Sequence, residues 1–330
     1  MKYDNCTQYG VQEKTDRMLL AAYTSALFTS GLLGDILILV GSWRYKAIKL
    51  HQLMVVFIQY IAVADVLLTI FRVLPVTVSF VENRWIFGEV YCRVGYFVLC
   101  SVGGTLYLLI PALTSTKLLI VKYPLRSISF PAKIAHLVTL VCFLFAVLVT
   151  MLASITKVDD IYFSYLTYMC EMDRSPATDG WTVWFSFILS GFICAVGTLV
   201  VVVSCVMLLA IAKRLTDRGP GALQWRGIMT VLFTAAFFLL ATLPMAVYML
   251  VYCFLKENSH WDVYLFKVAN LLSSLNVASN FYIYTLTLTS FRQFLRSRIR
   301  LLWAPFTRCW ATNKAEITSG RGDRQKLLTT

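Results

Sequence analysis

Seven long apolar runs punctuate the chain, at Met18 to Val40, Leu53 to Phe80, Tyr91 to Val121, Ile134 to Ile155, Trp181 to Ala212, Ile228 to Leu255 and Val263 to Thr289, with short polar segments between them. Each reaches or exceeds the roughly 20 residues that a helix needs to cross the hydrocarbon of a bilayer. Backbone polar groups have no water to bond there, so each run is predicted to be a helix that satisfies its own ladder. The pattern therefore predicts an all-α membrane protein, a bundle of seven transmembrane helices over 18–289, with the two termini on opposite sides. Short connections favour one compact bundle over two domains, and the inverted internal repeat typical of many transporters is missing. A polar segment, 1–17, precedes the bundle without a cleavable leader pattern, so the first helix is expected to direct insertion. After the bundle, FRQFLRSRIRLLW, which begins at Phe291, alternates apolar and basic residues as a short amphipathic helix on a membrane surface would, here placed at 290–302, and 303–330 is the tail.

Composition strengthens the membrane reading: of 330 residues 58% are apolar and 14% charged, too apolar for a soluble domain of this size. Charge then sets a direction. Of the 30 Lys and Arg, 20 fall in the segments that share a side with the carboxyl end, the asymmetry of the positive-inside rule, which places the amino terminus outside the cell. This accounts for the formal net charge of +13 through the anionic inner leaflet, without nucleic acid. Nine cysteines sort the same way: Cys6, Cys92, Cys170 and Cys253 on the outer, oxidising side, Cys100, Cys142, Cys194 and Cys205 within helices, and Cys309 inside. Asn5-Cys6-Thr7 reads as an outer glycosylation acceptor. No nucleotide loop, metal-ligand cluster or nucleophile constellation occurs in the sequence, so enzymatic activity is not expected.

Motifs in the runs carry more. The second contains IAVADVLL with Asp65 at its middle and Pro75 beyond; Trp85-Ile86-Phe87-Gly88 follows, the third run opens near Cys92, Lys122-Tyr123-Pro124-Leu125 closes it, and Phe291-Arg292-Gln293-Phe294 follows the seventh. In this order and spacing the chain resembles the rhodopsin-like (class A) G-protein-coupled receptors, from about Gly34 to Phe294. The resemblance implies a plasma-membrane receptor that passes the binding of an extracellular ligand to heterotrimeric G proteins. It also implies a disulfide between Cys92 and Cys170, and it permits a second between Cys6 and Cys253. Lys117, Tyr284 and the basic inner loops would form the G-protein face. Arrestin is a further implied partner, although the tail offers few Ser and Thr.

Departures from the family pattern make this an atypical member. Thr116-Lys117-Leu118 stands where the family has an acid, an arginine and an aromatic, so Lys117 keeps a charge without the guanidinium fork or an ionic restraint. Ala241-Thr242-Leu243-Pro244 keeps the kinking proline of helix six, with Phe238 as its core aromatic, and loses the aromatic toggle; Asn280-Phe281-Tyr282-Ile283-Tyr284 keeps the Asn and Tyr of helix seven and loses the proline. A second function class stays open on these grounds, a decoy or scaffold that binds ligand or a partner receptor without activating G protein.

Charged groups inside a membrane are costly and mark function by default. Asp35, Asp65 and Arg72 are the three. By the resemblance, Asp65, Asn276 and Asn280 line a pocket for water and sodium, with Asp35 beside them and Leu106 where a hydroxyl would complete it; a sodium site and a purely structural water network both stand. Arg72 lies seven residues after Asp65 on the same face, with two readings, an anchor for an anionic ligand or a structural group bonded to water or Asp65. The remaining pocket candidates are Leu99, Gly103, Met245, Met249, Tyr252, Phe266, Asn270 and Ser274, mostly apolar with a few polar anchors. Gly103 and Gly104 either open space for ligand or let helices pack closely. Leu99 stands where amine receptors carry an aspartate and Ser274 where opsins attach retinal, so neither ligand is expected; a small molecule, lipid or peptide remains.

Overall fold

The computed structural model describes residues 14–44, 51–123, 131–154, 161–164, 168–172, 180–216, 222–252 and 260–300. Its helices are α1 (Lys14–Trp43), α2 (Gln52–Glu82), α3 (Gly88–Lys122), α4 (Ala132–Ser154), α5 (Gly180–Thr216), α6 (Ala222–Tyr252) and α7 (His260–Thr287), and a further helix, α8, runs over 289–300. Spans within α1 to α6 are long and apolar enough to cross a membrane, with mean hydropathy from 1.6 to 2.8. At 28 residues α7 has the length, about 42 Å at 1.5 Å per residue. Its hydropathy is lowered by Asn270, Ser273, Ser274, Asn276, Ser279 and Asn280, the polar face that it turns to the bundle. Seven helices therefore form a multi-pass bundle.

Burial separates centre from rim. Of the most apolar window of α2, 61% is buried, against 22% for α4 and α5. On α4 the side chains of Leu137, Leu140, Val141, Leu144 and Leu148 face outward, as do Leu199, Val203 and Val206 on α5. A ring of exposed leucine and valine is unfavourable in water and natural in lipid. Inside, Ile61, Leu109, Leu113, Val201, Leu208, Ile228 and Phe238 belong to one core that joins α2, α3, α5 and α6. A second cluster joins Ile38, Ile58, Ile283, Tyr284, Phe291 and Phe294, and so seats α8 against α1 and α7. Arg292 strengthens that seat: its Nε donates to the Thr285 carbonyl at 3.1 Å and its Nη2 to that of Leu286 at 2.7 Å, satisfying carbonyls that the end of α7 would leave open.

Two local features shape the outer half. In α2 the turn Thr69–Val73 widens to a π turn, with the Leu74 N–H donating to the Thr69 carbonyl. Pro75, which has no N–H to donate, follows at once, and the Ile70 carbonyl is met instead by the Tyr91 hydroxyl at 3.0 Å. Between α4 and α5 a hairpin of β1 (Ile161–Ser164) and β2 (Met169–Met172) pairs antiparallel, Phe163 opposite Cys170. Ties to α2 and α3 hold it over the bundle. Cys170 is bonded to Cys92 with a Cα–Cα distance of 5.5 Å, Tyr168 donates to Asn83 Oδ1 at 2.7 Å, and Tyr168 packs on Phe80 at 4.7 Å between ring centres. Asn83 ends α2 in the left-handed conformation (φ 55°), which Asn tolerates better than most residues. The disulfide implied by the resemblance is thus present. Cys6, Cys253 and the Asn5 acceptor lie outside the described residues.

Candidate functional site

The outer site is built from α2, α3, α7 and the hairpin. Arg72, carried by the π turn, donates through Nη2 to the carbonyl of Asn270 at 3.0 Å, and to Asn270 Oδ1 and Ser273 Oγ. Its Nε is buried without a hydrogen-bond partner among the described residues. The Asn270 amide works in two directions, since Nδ2 donates to the sulfur of Met169 at 2.7 Å. Asn270 therefore links the guanidinium to the hairpin. Between α2, α3 and the hairpin lies a cavity of about 20 Å³, lined by Arg72 and Leu99 together with Phe71, Trp85, Tyr91, Tyr96 and Met169 among others. That is room for about one water, so a larger ligand enters only if the lining shifts.

The sequence expectations divide on this geometry. Arg72 shares the cavity with Leu99 and is hydrogen-bonded to Asn270. Arg72 does not reach Asp65, as the structural alternative supposed: its partners are on α7, ten and seven residues from the residue that Asp65 meets. Ser274 is buried and donates to the Asn270 carbonyl of its own helix at 2.9 Å, and Met245 is half-buried on α6 away from the cavity. Gly103 and Gly104 separate: a Cβ on Gly103 would meet nothing within 4 Å, whereas one on Gly104 would lie 3.3 Å from Ala146. Gly104 thus packs α3 on α4, whereas Gly103 borders open space among the described residues. The side chains of Met249, Tyr252 and Phe266 lie outside the described residues. Met169, Trp85, Tyr91, Phe71 and Tyr96 were missed; the signal for Met169 was its place beside Cys170, whose bridge to Cys92 carries it over the bundle mouth.

Deeper, Asp35 and Asp65 are both fully buried. Asn280 donates to Asp65 Oδ2 at 2.7 Å, while Asp65 Oδ1 and both oxygens of Asp35 have no partner among the described residues. The two carboxyls interact electrostatically, and both act on Tyr284. Asn276 is buried on the same helix. Phe238 fills the place expected of a core aromatic, edge-on to Tyr107 at 5.4 Å, and the Tyr107 hydroxyl donates to the Thr242 carbonyl at 3.4 Å, tying α3 to α6 near Pro244.

At the inner end Lys117 is 6% and Tyr284 1% exposed. The two residues expected to form the G-protein face are both turned into the bundle in this conformation. Among the described residues the one ion pair is Arg93 with Glu89 on α3, so no acid restrains Lys117.

Comparison with known proteins agrees with this architecture. Residues 34–284 match the sequence model of the family described as 7 transmembrane receptor (rhodopsin family). The human alpha-1A adrenergic receptor is 32% identical over 142 residues, 42% of this chain and 29% of that receptor, so the chain spans less than a third of this curated relative. The matched family is one of receptors and not of enzymes. With seven helices, the Cys92–Cys170 bridge and a family match over most of its length, the chain belongs to the rhodopsin family of seven-transmembrane receptors.

Proposed function

We propose that the protein is a cell-surface receptor, amino terminus outside, that transmits the binding of an extracellular ligand to cytoplasmic heterotrimeric G proteins. One observation carries this reading: a single helix, α7, holds the outer partners of Arg72 at Asn270 and Ser273, the partner of Asp65 at Asn280, and Tyr284 near its inner end. A ligand that disturbs the outer contacts acts on the same rigid element that bonds the polar core. Such a ligand shifts the bundle to the extent that it binds one arrangement better than the other. Nucleotide exchange on a panel of G proteins, in membranes holding the full chain, tests the proposal; exchange that stays at background with every partner and every ligand set would sink it.

The second reading, a decoy or scaffold, is favoured by Thr116-Lys117-Leu118 and by the burial of Lys117. Lys117→Arg alongside wild type separates the two. Exchange restored by that one substitution means that a single switch is degraded; silence in both, with ligand still bound, means a decoy.

The polar core fits a sodium ion, which takes oxygen ligands: three carboxylate oxygens of Asp35 and Asp65 are orphaned there, and bound sodium would supply positive charge between two acids. Asp35 and Asp65 would hold it, with Asn280 fixing Asp65 in place. Leu106 in place of a hydroxyl withholds one ligand. Ligand affinity that ignores sodium in wild type and in Asp65→Asn alike would leave a water network as the role of this core.

A further inference from the structure

We propose that the ligand is a small organic monoanion, a carboxylic acid on a flat apolar body, and that Arg72 captures its carboxylate. The proposal rests on the receptor reading and names the chemistry of its site. An arginine stays charged at any pH the protein meets, and a buried charge needs a partner of opposite sign. Arg72 has none among the described residues. Its hydrogen-bond partners are neutral, Asn270 and Ser273, and the ionisable groups acting on it are Tyr107, Tyr23 and Cys100, all neutral near pH 7. The Nε, one arm of the fork that grips a carboxylate, is buried and unpartnered.

The cavity beside the guanidinium specifies the rest. Its walls are Phe71, Trp85, Tyr91, Tyr96 and Leu99, so the body of the ligand is apolar and flat. One fixed cation is neutralised by one negative charge. A phosphate dianion would bury a surplus charge, and a protonated amine would meet a like charge. A carboxylate also matches the two parallel N–H donors of the fork, and it adds the opposite charge that the neutral acceptors of Arg72, Asn270 and Ser273, lack. Capture therefore competes with the bonds to Asn270 and Ser273. Arg72 lets go of α7, Asn270 loses one reason to hold Met169, and the hairpin is free to admit the ligand body.

Thermal unfolding of the detergent-purified full chain tests this with benzoate, indole-3-acetate and 2-naphthoate, each against its primary amide. At least one acid raises the Tm of wild type and of Arg72→Lys, while its amide and the variant Arg72→Gln show no shift. Asn270→Ala, which removes the competing amide, raises the affinity for that acid about 3- to 10-fold. Acids that never exceed their amides, a shift kept in Arg72→Gln, or an affinity untouched by Asn270→Ala would each overturn the proposal. Should Arg72→Gln fail to fold, the Asn270→Ala titration decides alone. The assay contains no G protein, so acid binding without nucleotide exchange would sink the signalling role and leave this site standing. Exchange driven only by a peptide or an uncharged ligand would do the reverse.

Discussion

Asp65 and Arg72 are both charged, both on α2 and both bonded to α7, yet they behave differently. Asp65 spends one oxygen on Asn280 and leaves the other orphaned. Because an amide still accepts from Asn280 and carries no charge that burial would penalise, Asp65→Asn is expected to unfold at or above the wild-type temperature. Asp65→Ala strips Asn280 of its acceptor and costs about 1–3 kcal/mol. Thermal unfolding of the two variants in detergent checks the order, and equal losses would show that the Asn280 contact contributes nothing. This pairing was legible in sequence, since Asp65 and Asn280 sit in recognisable motifs. The Arg72 contact was not. Its partners lie 198 and 201 residues away, and a long flexible side chain reaches several of them equally well until the neighbouring helix is placed.

Individual helices carry the next level. Gly34 is where α1 touches α7: a Cβ there would fall 2.5 Å from the Cβ of Phe281. That atom is at the root of its side chain and cannot rotate away, so Gly34→Ala must push the helices apart, at about 1–3 kcal/mol. Gly103→Ala meets open space and is expected to leave the Tm unchanged; a loss as large as that of Gly34→Ala would show that α3 packs more tightly there than the geometry allows. At the other end of α7, Arg292→Ala uncovers the carbonyls of Thr285 and Leu286. Faster amide hydrogen exchange through 285–300 is the expected outcome, with exchange elsewhere in the bundle unaffected. The π turn of α2 was hidden from the pattern of apolar residues. Pro75 announces a lost hydrogen bond, but whether the helix kinks or widens depends on Tyr91 of the next helix reaching the Ile70 carbonyl.

For the whole molecule, the hairpin is the part most exposed to test. Its bridge to α3 closes a separation of 78 residues, so Cys170→Ser is expected to cost about 2–4 kcal/mol and to free Met169 from Asn270. A lower Tm together with faster acid association is the expected pair of results; a hairpin that stays ordered without the bridge would show that Tyr168 with Asn83 and Phe80 suffices. Topology has its own check: antibody labelling of intact cells with tags at both ends should detect the amino end alone. Signal from both ends would contradict seven crossings.

The number of helices and their membrane character were determined by the sequence alone, because transfer into hydrocarbon is a sum over local composition and needs no knowledge of neighbours. The Cys92–Cys170 bridge, the Asp65–Asn280 contact and the helix after α7 were legible for a related reason, their residues standing in short motifs of fixed spacing. Only the tertiary structure decided that Arg72 holds α7, that Met169 meets Asn270, that Gly103 borders space among the described residues while Gly104 packs, and that Lys117 turns inward. Each of these depends on how a helix is rotated about its axis and on a partner remote in sequence, which no local pattern encodes.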